Sequence, residues 1–190
     1  MLGTTRWMKS SILLVIAFGL GIVTALAVQA QQKSGQPMKL TPQDYIDIEQ
    51  LVNRYAHEID MCVDNGYSYA DMYAPDGVFI DLYSDNGVKQ GGIRSVGREA
   101  LAEAAGGGKN GCRGTRRFEL THVITNLVIT PTADGATGKA LLLEMWPDPS
   151  EMSVNRRAGS YEDTYVKTAK GWRFKQRAHV RKREKGDPRG

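Results

Sequence analysis

The sequence predicts an α+β fold: a curved antiparallel sheet of about six strands forming a cone, closed by three N-terminal helices. Two observations carry this. Helical periodicity is confined to the chain before Gly106, and three long strand-like runs follow with no helix between them. Helices first and strands afterwards argue against a doubly wound parallel sheet. Long antiparallel strands with a helix laid across them also curl, and the hollow they form is where a ligand sits. The 190 residues, 41% apolar and 24% charged, suit one globular domain.

In chain order, residues 1–30 hold Arg6 and Lys9, no acidic residue, and an apolar run from Ile12 to Val28. With Val28-Gln29-Ala30 at its end, this is expected to be a secretory signal cleaved after Ala30. An uncleaved anchor is the alternative, and either form delivers the domain outside the cytoplasm, to a periplasmic or secreted location. Residues 31–40 are polar and expected to be a tether. Thr41-Pro42-Gln43-Asp44 supplies an N-cap hydroxyl, Pro at the first helical position and a carboxylate three residues after the cap. From there Tyr45, Ile48, Val52, Tyr55, Ile59 and Val63 recur at helical spacing, predicting an amphipathic helix that ends near Asn65-Gly66.

A short helix over 69–73 is expected next, stopped by Ala74-Pro75-Asp76-Gly77. Strands over 77–83 and 88–94 flank an Asp85-Asn86-Gly87 turn, and a third helix covers 97–105. Strands follow over 116–130, 136–146, 153–168 and 172–181, separated by turns at Ala133-Asp134-Gly135, Pro147-Asp148-Pro149 and Ala169-Lys170-Gly171. The domain thus spans 41–181, and 182–190 is expected to be a disordered basic tail.

Charge excludes one class of function. Of 25 basic residues, two lie in the leader and five beyond Val180, leaving 18 against 19 acidic residues over 31–180. A body so nearly neutral gives no reason to expect nucleic acid. Gly106-Gly107-Gly108-Lys109-Asn110 lacks the Ser or Thr of a phosphate loop and follows a helix. Three widely separated histidines form no metal-ligand motif, and there is no nucleophile elbow, so neither metal nor cofactor is expected. An oxidising compartment permits Cys62 and Cys112 to pair, but a spacing of fifty residues leaves the pairing open.

On the strand over 116–130, Phe118, Leu120, His122, Ile124, Asn126 and Val128 share the more apolar face, so His122 is expected to point inward. An imidazole there can shuttle a proton if a carboxylate orients it. Asp60, near the end of the first helix, is the candidate partner. Glu144, between Leu142 and Trp146, is a second carboxylate facing the interior. Tyr161 and Asp163 share one face of the penultimate strand. On the last strand, Trp172, Phe174, Gln176, Ala178 and Val180 are expected inward by polarity, which places Arg173, Lys175, Arg177 and His179 outside. His57 is expected to be exposed.

The order of Ile46 to Tyr55, Met72 to Phe79, Gly97 to Leu101, Thr121 to Asn126, and Gly159 to Asp163 running on to Gly171-Trp172-Arg173-Phe174 resembles the SnoaL-like branch of the nuclear transport factor 2-like superfamily. That branch includes scytalone dehydratase, bile acid dehydratase, ketosteroid isomerase and polyketide cyclases. The resemblance implies a conical cavity and a homodimer formed through the sheet. It also implies that the strand histidine, here His122, works with an aspartate at the end of the first helix, which falls on Asp60. Ile59 stands where scytalone dehydratase has a tyrosine, and Gly159 and Tyr161 stand near its polar residues of the penultimate strand. Scytalone is therefore a poor substrate guess.

The leading expectation is a cofactor-free lyase or isomerase for a small hydrophobic hydroxy-carbonyl compound, with Tyr55, Tyr161, Asp163, Asn126 and Glu144 as substrate-binding candidates read from the residues. A noncatalytic binding or assembly domain is the rival, because one fold hosts many functions.

Overall fold

The computed structural model describes residues 35–113, 120–148 and 153–182. The expected signal segment, the first four residues of the tether and nearly all of the basic tail lie outside them. The chain divides into Met1–Pro37 and Met38–Gly190, and among the described residues the second unit carries every helix and strand.

Helix α1 (Pro42–Asp60) begins as its capping residues demand. The Thr41 hydroxyl accepts from the Asp44 amide at 3.2 Å and the Asp44 carboxylate accepts from the Thr41 amide at 2.9 Å. Asp44 also receives Lys167 Nζ at 2.6 Å and the Trp172 indole N–H at 2.9 Å, which fastens the start of the helix to the last strand hairpin. Lys167, followed by the Thr41 groups and Trp172, holds this carboxyl well below its usual range. The tether expectation needs correction near its end, because Leu40 is buried in the core, Met38 packs against it, and the Met38 amide reaches the Thr132 carbonyl at 2.8 Å.

The helix stops at Asp60, short of the expected Asn65-Gly66. Cys62, Asp64 and Asn65 take positive φ, so the chain leaves α1 by a left-handed turn and a short 3-10 segment, Val63–Gly66. Val63 and Tyr45, expected on the buried stripe, are exposed. The Gly106–Gly108 loop docks on this turn, where a Cβ at position 107 would lie 1.8 Å from the Asn65 carbonyl oxygen. Cys62 and Cys112 are joined there in a disulfide, Cα to Cα 6.2 Å.

Helix α2 (Tyr67–Ala70) leads into β1 (Tyr73–Asp85) and β2 (Val88–Val96), and α3 (Arg98–Ala104) carries the chain to the opposite edge. The meander β3 (Thr121–Pro131), β4 (Ala136–Asp148), β5 (Ser153–Thr168) and β6 (Gly171–Lys182) then returns. The sheet order is β2-β1-β6-β5-β4-β3. One expectation changes here: β6 comes back beside β1 and pairs with it in parallel, while the other neighbours are antiparallel. Arg181 belongs to β6, since its backbone pairs with Tyr83 and Gly159. The core lies between α1 and the concave face, where Ile48, Leu51, Val52 and Tyr55 meet Tyr161, Tyr165, Trp172 and Phe174.

Three bulges decide which side chains face this core. Arg94 on β2, Asn126 on β3 and Lys175 on β6 are each an extra residue against the partner strand, and each reverses the in-out alternation beyond it. On β3, His122 and Ile124 face inward, but past Asn126 it is Leu127 and Ile129 that pack on the core, while Val128 is 64% exposed. On β6, Trp172 and Phe174 are inward as expected. Beyond Lys175 the expectation fails for Arg177 and His179, which are buried together with Arg181, while Ala178 and Val180 are buried too.

Candidate active site

His122 sits near the start of β3, where α1 ends above it. Asp60 grips this residue twice: one oxygen accepts the His122 backbone N–H at 2.9 Å, and the other is hydrogen-bonded to ring Nδ1. The sheet thereby fixes the carboxylate, and the carboxylate fixes the plane and tautomer of the ring. Nδ1 carries the proton toward Asp60, so Nε2 is left as the base. Nε2 is 3.8 Å from Glu144 Oε1, the cross-strand neighbour on β4. Glu144 is itself held by Arg157, whose Nε and Nη2 both reach Oε2 at 2.6 Å.

His122, Asp60 and Glu144 line one cavity of about 190 Å³, together with Tyr55, Ile59, Phe79, Leu120, Tyr161 and His179 among others. Tyr161 donates to the Tyr55 hydroxyl at 3.2 Å. Burial raises both phenols above their ordinary range, so at neutral pH they are proton donors and not bases. Apolar walls, two phenols and an imidazole braced by a carboxylate suit proton transfer at a carbon next to a carbonyl. A larger groove of about 920 Å³, lined by Asp71, Arg98, Lys170 and Arg173 among others, holds none of the expected site residues.

Of the expected residues, His122, Asp60, Tyr55, Tyr161 and Glu144 are brought together. Two are not. Asn126 is exposed at the β3 bulge with φ +56° and is absent from the cavity wall. Asp163 is buried under the cavity as the counter-ion of Arg177, accepting its Nε at 2.9 Å and Nη2 at 2.8 Å, with the Tyr165 hydroxyl at 2.9 Å. The Arg177 guanidinium lies 3.9 Å from the ring centre of Tyr55, 4.0 Å from Tyr161 and 4.2 Å from Phe174. Burial works against its charge; the field and hydrogen bonds of Asp163 prevail and hold its pKa above the ordinary value. His57 is exposed, as expected.

Sequence reasoning missed His179, Arg94 and Arg157. His179 is buried, with Nδ1 3.7 Å from Asp81 Oδ1 and Nε2 3.8 Å from Glu144 Oε2. Asp81 is held by Arg181 at 2.6 Å and Arg94 at 3.0 Å. The alternation of basic residues along β6 imitates a solvated face, and only the bulge at Lys175 turns that row inward.

A family model for the SnoaL-like domain matches residues 41–178. The chain belongs to the SnoaL-like domain family. Solved structures extend the likeness to the fold. An NTF2-like protein with a cystatin-like fold from Novosphingobium aromaticivorans is 18% identical, with 87% of this chain and 92% of that one covered and a TM-score of 0.59. A scytalone dehydratase-like protein from the same organism is 23% identical over 71% and 81% of the two chains, TM-score 0.50. A ring-hydroxylase beta subunit-like protein, also from that organism, is 17% identical over 73% and 88%, TM-score 0.54. No curated protein matches the chain in sequence. At these identities the neighbours show the SnoaL-like member's fold alone.

Proposed function

We propose that this SnoaL-like protein is an exported lyase or isomerase of dehydratase type, acting on a small hydrophobic hydroxy-carbonyl compound. The observation that carries the reading is the double grip of Asp60 on His122, which leaves one imidazole nitrogen free at the wall of a cavity also lined by two protonated tyrosines. In the proposed reaction, His122 Nε2 removes a proton from the carbon next to the carbonyl. The C–H electron pair moves into an enolate, whose oxygen is stabilised by the Tyr55–Tyr161 pair. The enolate then expels the hydroxyl from the neighbouring carbon, and the imidazolium returns its proton to that hydroxyl, so water leaves and His122 is neutral again. One imidazole performs both transfers, and Asp60 stabilises its charged form between them.

Volume narrows the substrate. A cavity of about 150 Å³ holds one benzene ring, and this one is about 190 Å³. The size supports a single-ring or short-chain compound and argues against a steroid. Export is supported by the Cys62–Cys112 disulfide, since such bonds persist in oxidising compartments. A screen of single-ring β-hydroxy ketones for loss of water tests the activity. Turnover by the wild type that disappears in folded His122→Ala supports the reading, and equal turnover in that variant overturns it.

A further inference from the structure

We infer that His179 is a second imidazole of this site, accepting a hydrogen bond from the substrate hydroxyl through Nε2. The inference rests on the lyase or isomerase reading and adds the group that selects a hydroxylated substrate. Its first support is the path of the side chain. The bulge at Lys175 turns His179 to the concave face, and the ring crosses β5 to approach Glu144 on β4. It crosses at Gly159, where an added Cβ would lie 3.6 Å from Nε2 and 2.9 Å from the Val180 carbonyl oxygen. Such a Cβ would touch the ring only at ordinary van der Waals distance, and its close neighbour is the Val180 carbonyl oxygen. The ring also packs on Tyr161, centroids 5.5 Å apart, and lines the same cavity as His122.

The second support is an account of hydrogen-bond donors. A neutral imidazole has one N–H to place. Nδ1 faces Asp81 Oδ1, a buried oxygen with no hydrogen bond; Nε2 faces Glu144 Oε2, which Arg157 already supplies with two donors. Leaving a buried acceptor without a donor is costly, so the proton goes to Nδ1, on the side of Asp81. Nε2 is then a buried lone pair on a cavity-lining residue, closed to water and with no hydrogen bond of its own, beside a carboxylate that also only accepts. A hydroxyl group can donate to such a wall and a carbonyl cannot. The two ends of a hydroxy-carbonyl compound are thus told apart: the carbonyl meets the tyrosine donors and the hydroxyl meets His179. With its hydrogen held by His179, the hydroxyl oxygen keeps its lone pairs available for the proton that His122 returns.

The test compares 4-hydroxycyclohexanone, whose hydroxyl is not placed for elimination, with cyclohexanone, a matched pair of single-ring ketones differing by the hydroxyl. Dissociation constants are measured by NMR titration near pH 7.5 for the wild type, His179→Phe, His179→Gln and His122→Ala, with folding checked by near-ultraviolet circular dichroism. The wild type should bind the hydroxy-ketone about tenfold more tightly, the size of one net hydrogen bond. In His179→Phe that preference should fall to within about twofold, with cyclohexanone affinity retained, and the Gln side-chain oxygen should restore part of it. An unchanged preference in His179→Phe, or equal weakening of both probes, overturns the role of His179. Turnover that survives in His122→Ala while His179→Phe still abolishes the preference overturns the proton-transfer reading alone. A wild type that binds neither probe overturns both.

Discussion

Asp60 and Asp163 are both aspartates close to the cavity, and their surroundings give them different work. Asp60 accepts one ring N–H and one backbone N–H from a single residue, His122, and so orients a base. Asp163 is closed off beneath the cavity by Arg177 and Tyr165 and neutralises a fully buried guanidinium. Asp163→Asn would leave that cation uncompensated, and an expected loss of about 3–5 kcal/mol in urea unfolding follows. His179 adds a pH dependence. Burial lowers its pKa to about 4 against the pull of Glu144 and Asp81, with Arg181 and Arg157 pushing the same way as burial. The unfolded chain therefore takes up this proton near pH 6.5 while the folded protein resists it until about 4. The stability that comes from keeping His179 neutral is complete above pH 6.5 and is lost as the pH falls toward 4, by about 3 kcal/mol in total. Urea midpoints measured between pH 7.5 and 4 should show this slope in the wild type and a flatter one in His179→Phe. Asp44, whose pKa is lowered, contributes its own loss only below the ordinary carboxylate range, so the two windows separate.

At the scale of elements, α1 could be foreseen at its start and not at its end. Thr41, Pro42 and Asp44 are local signals whose partners lie within three residues, whereas the stop at Asp60 depends on a left-handed turn braced by a loop 40 residues further on. The hairpin turns at Asn86-Gly87, Ala133-Asp134-Gly135 and Ala169-Lys170 were legible for the same reason, whereas Ala74 to Gly77, expected as a turn, lies within β1, and Pro147-Asp148 lies within β4. Which face each strand buries was legible only as far as its first bulge, because an extra residue such as Lys175 carries no composition signal and is defined by the partner strand. That is why the row Arg177, His179 and Arg181 resembles a solvated face in sequence and is buried in the fold. The pairing of His122 with Asp60, 62 residues apart, came from family resemblance, since spacing alone cannot bring a strand and a helix end together. The disulfide is a further link of this kind, closing a span of 50 residues. In the chain-entropy account such a loop is worth about 4 kcal/mol, so Cys62→Ser, or reduction of the wild type, should lower stability by an amount of that order in urea unfolding. Two free thiols in the oxidised protein, found by mass after alkylation, would contradict the pairing.

The sheet has a concave face committed to the cavity and an opposite face with apolar residues in the open. Val123 is 41% exposed and Leu141 55%, and the β3–β4 register places them on the side away from His122 and Glu144. That exposure supports the homodimer that the family resemblance implies. Sedimentation should give twice the chain mass, and Leu141→Glu should shift it toward the monomer; a wild-type monomer at tens of micromolar, about the range of ordinary assays, would contradict the dimer. Amino-terminal sequencing of exported protein should begin near Gln31, while an intact leader recovered with the membrane would mean a tethered domain. The proposed chemistry depends on His122 and Asp60 acting as one unit, and the most direct measurement is turnover per folded molecule in His122→Ala, Asp60→Asn and the double variant. Each single change should lower turnover by about a hundredfold or more, and the double variant should be little worse than His122→Ala. Losses that multiply, or full turnover in folded His122→Ala, would contradict it.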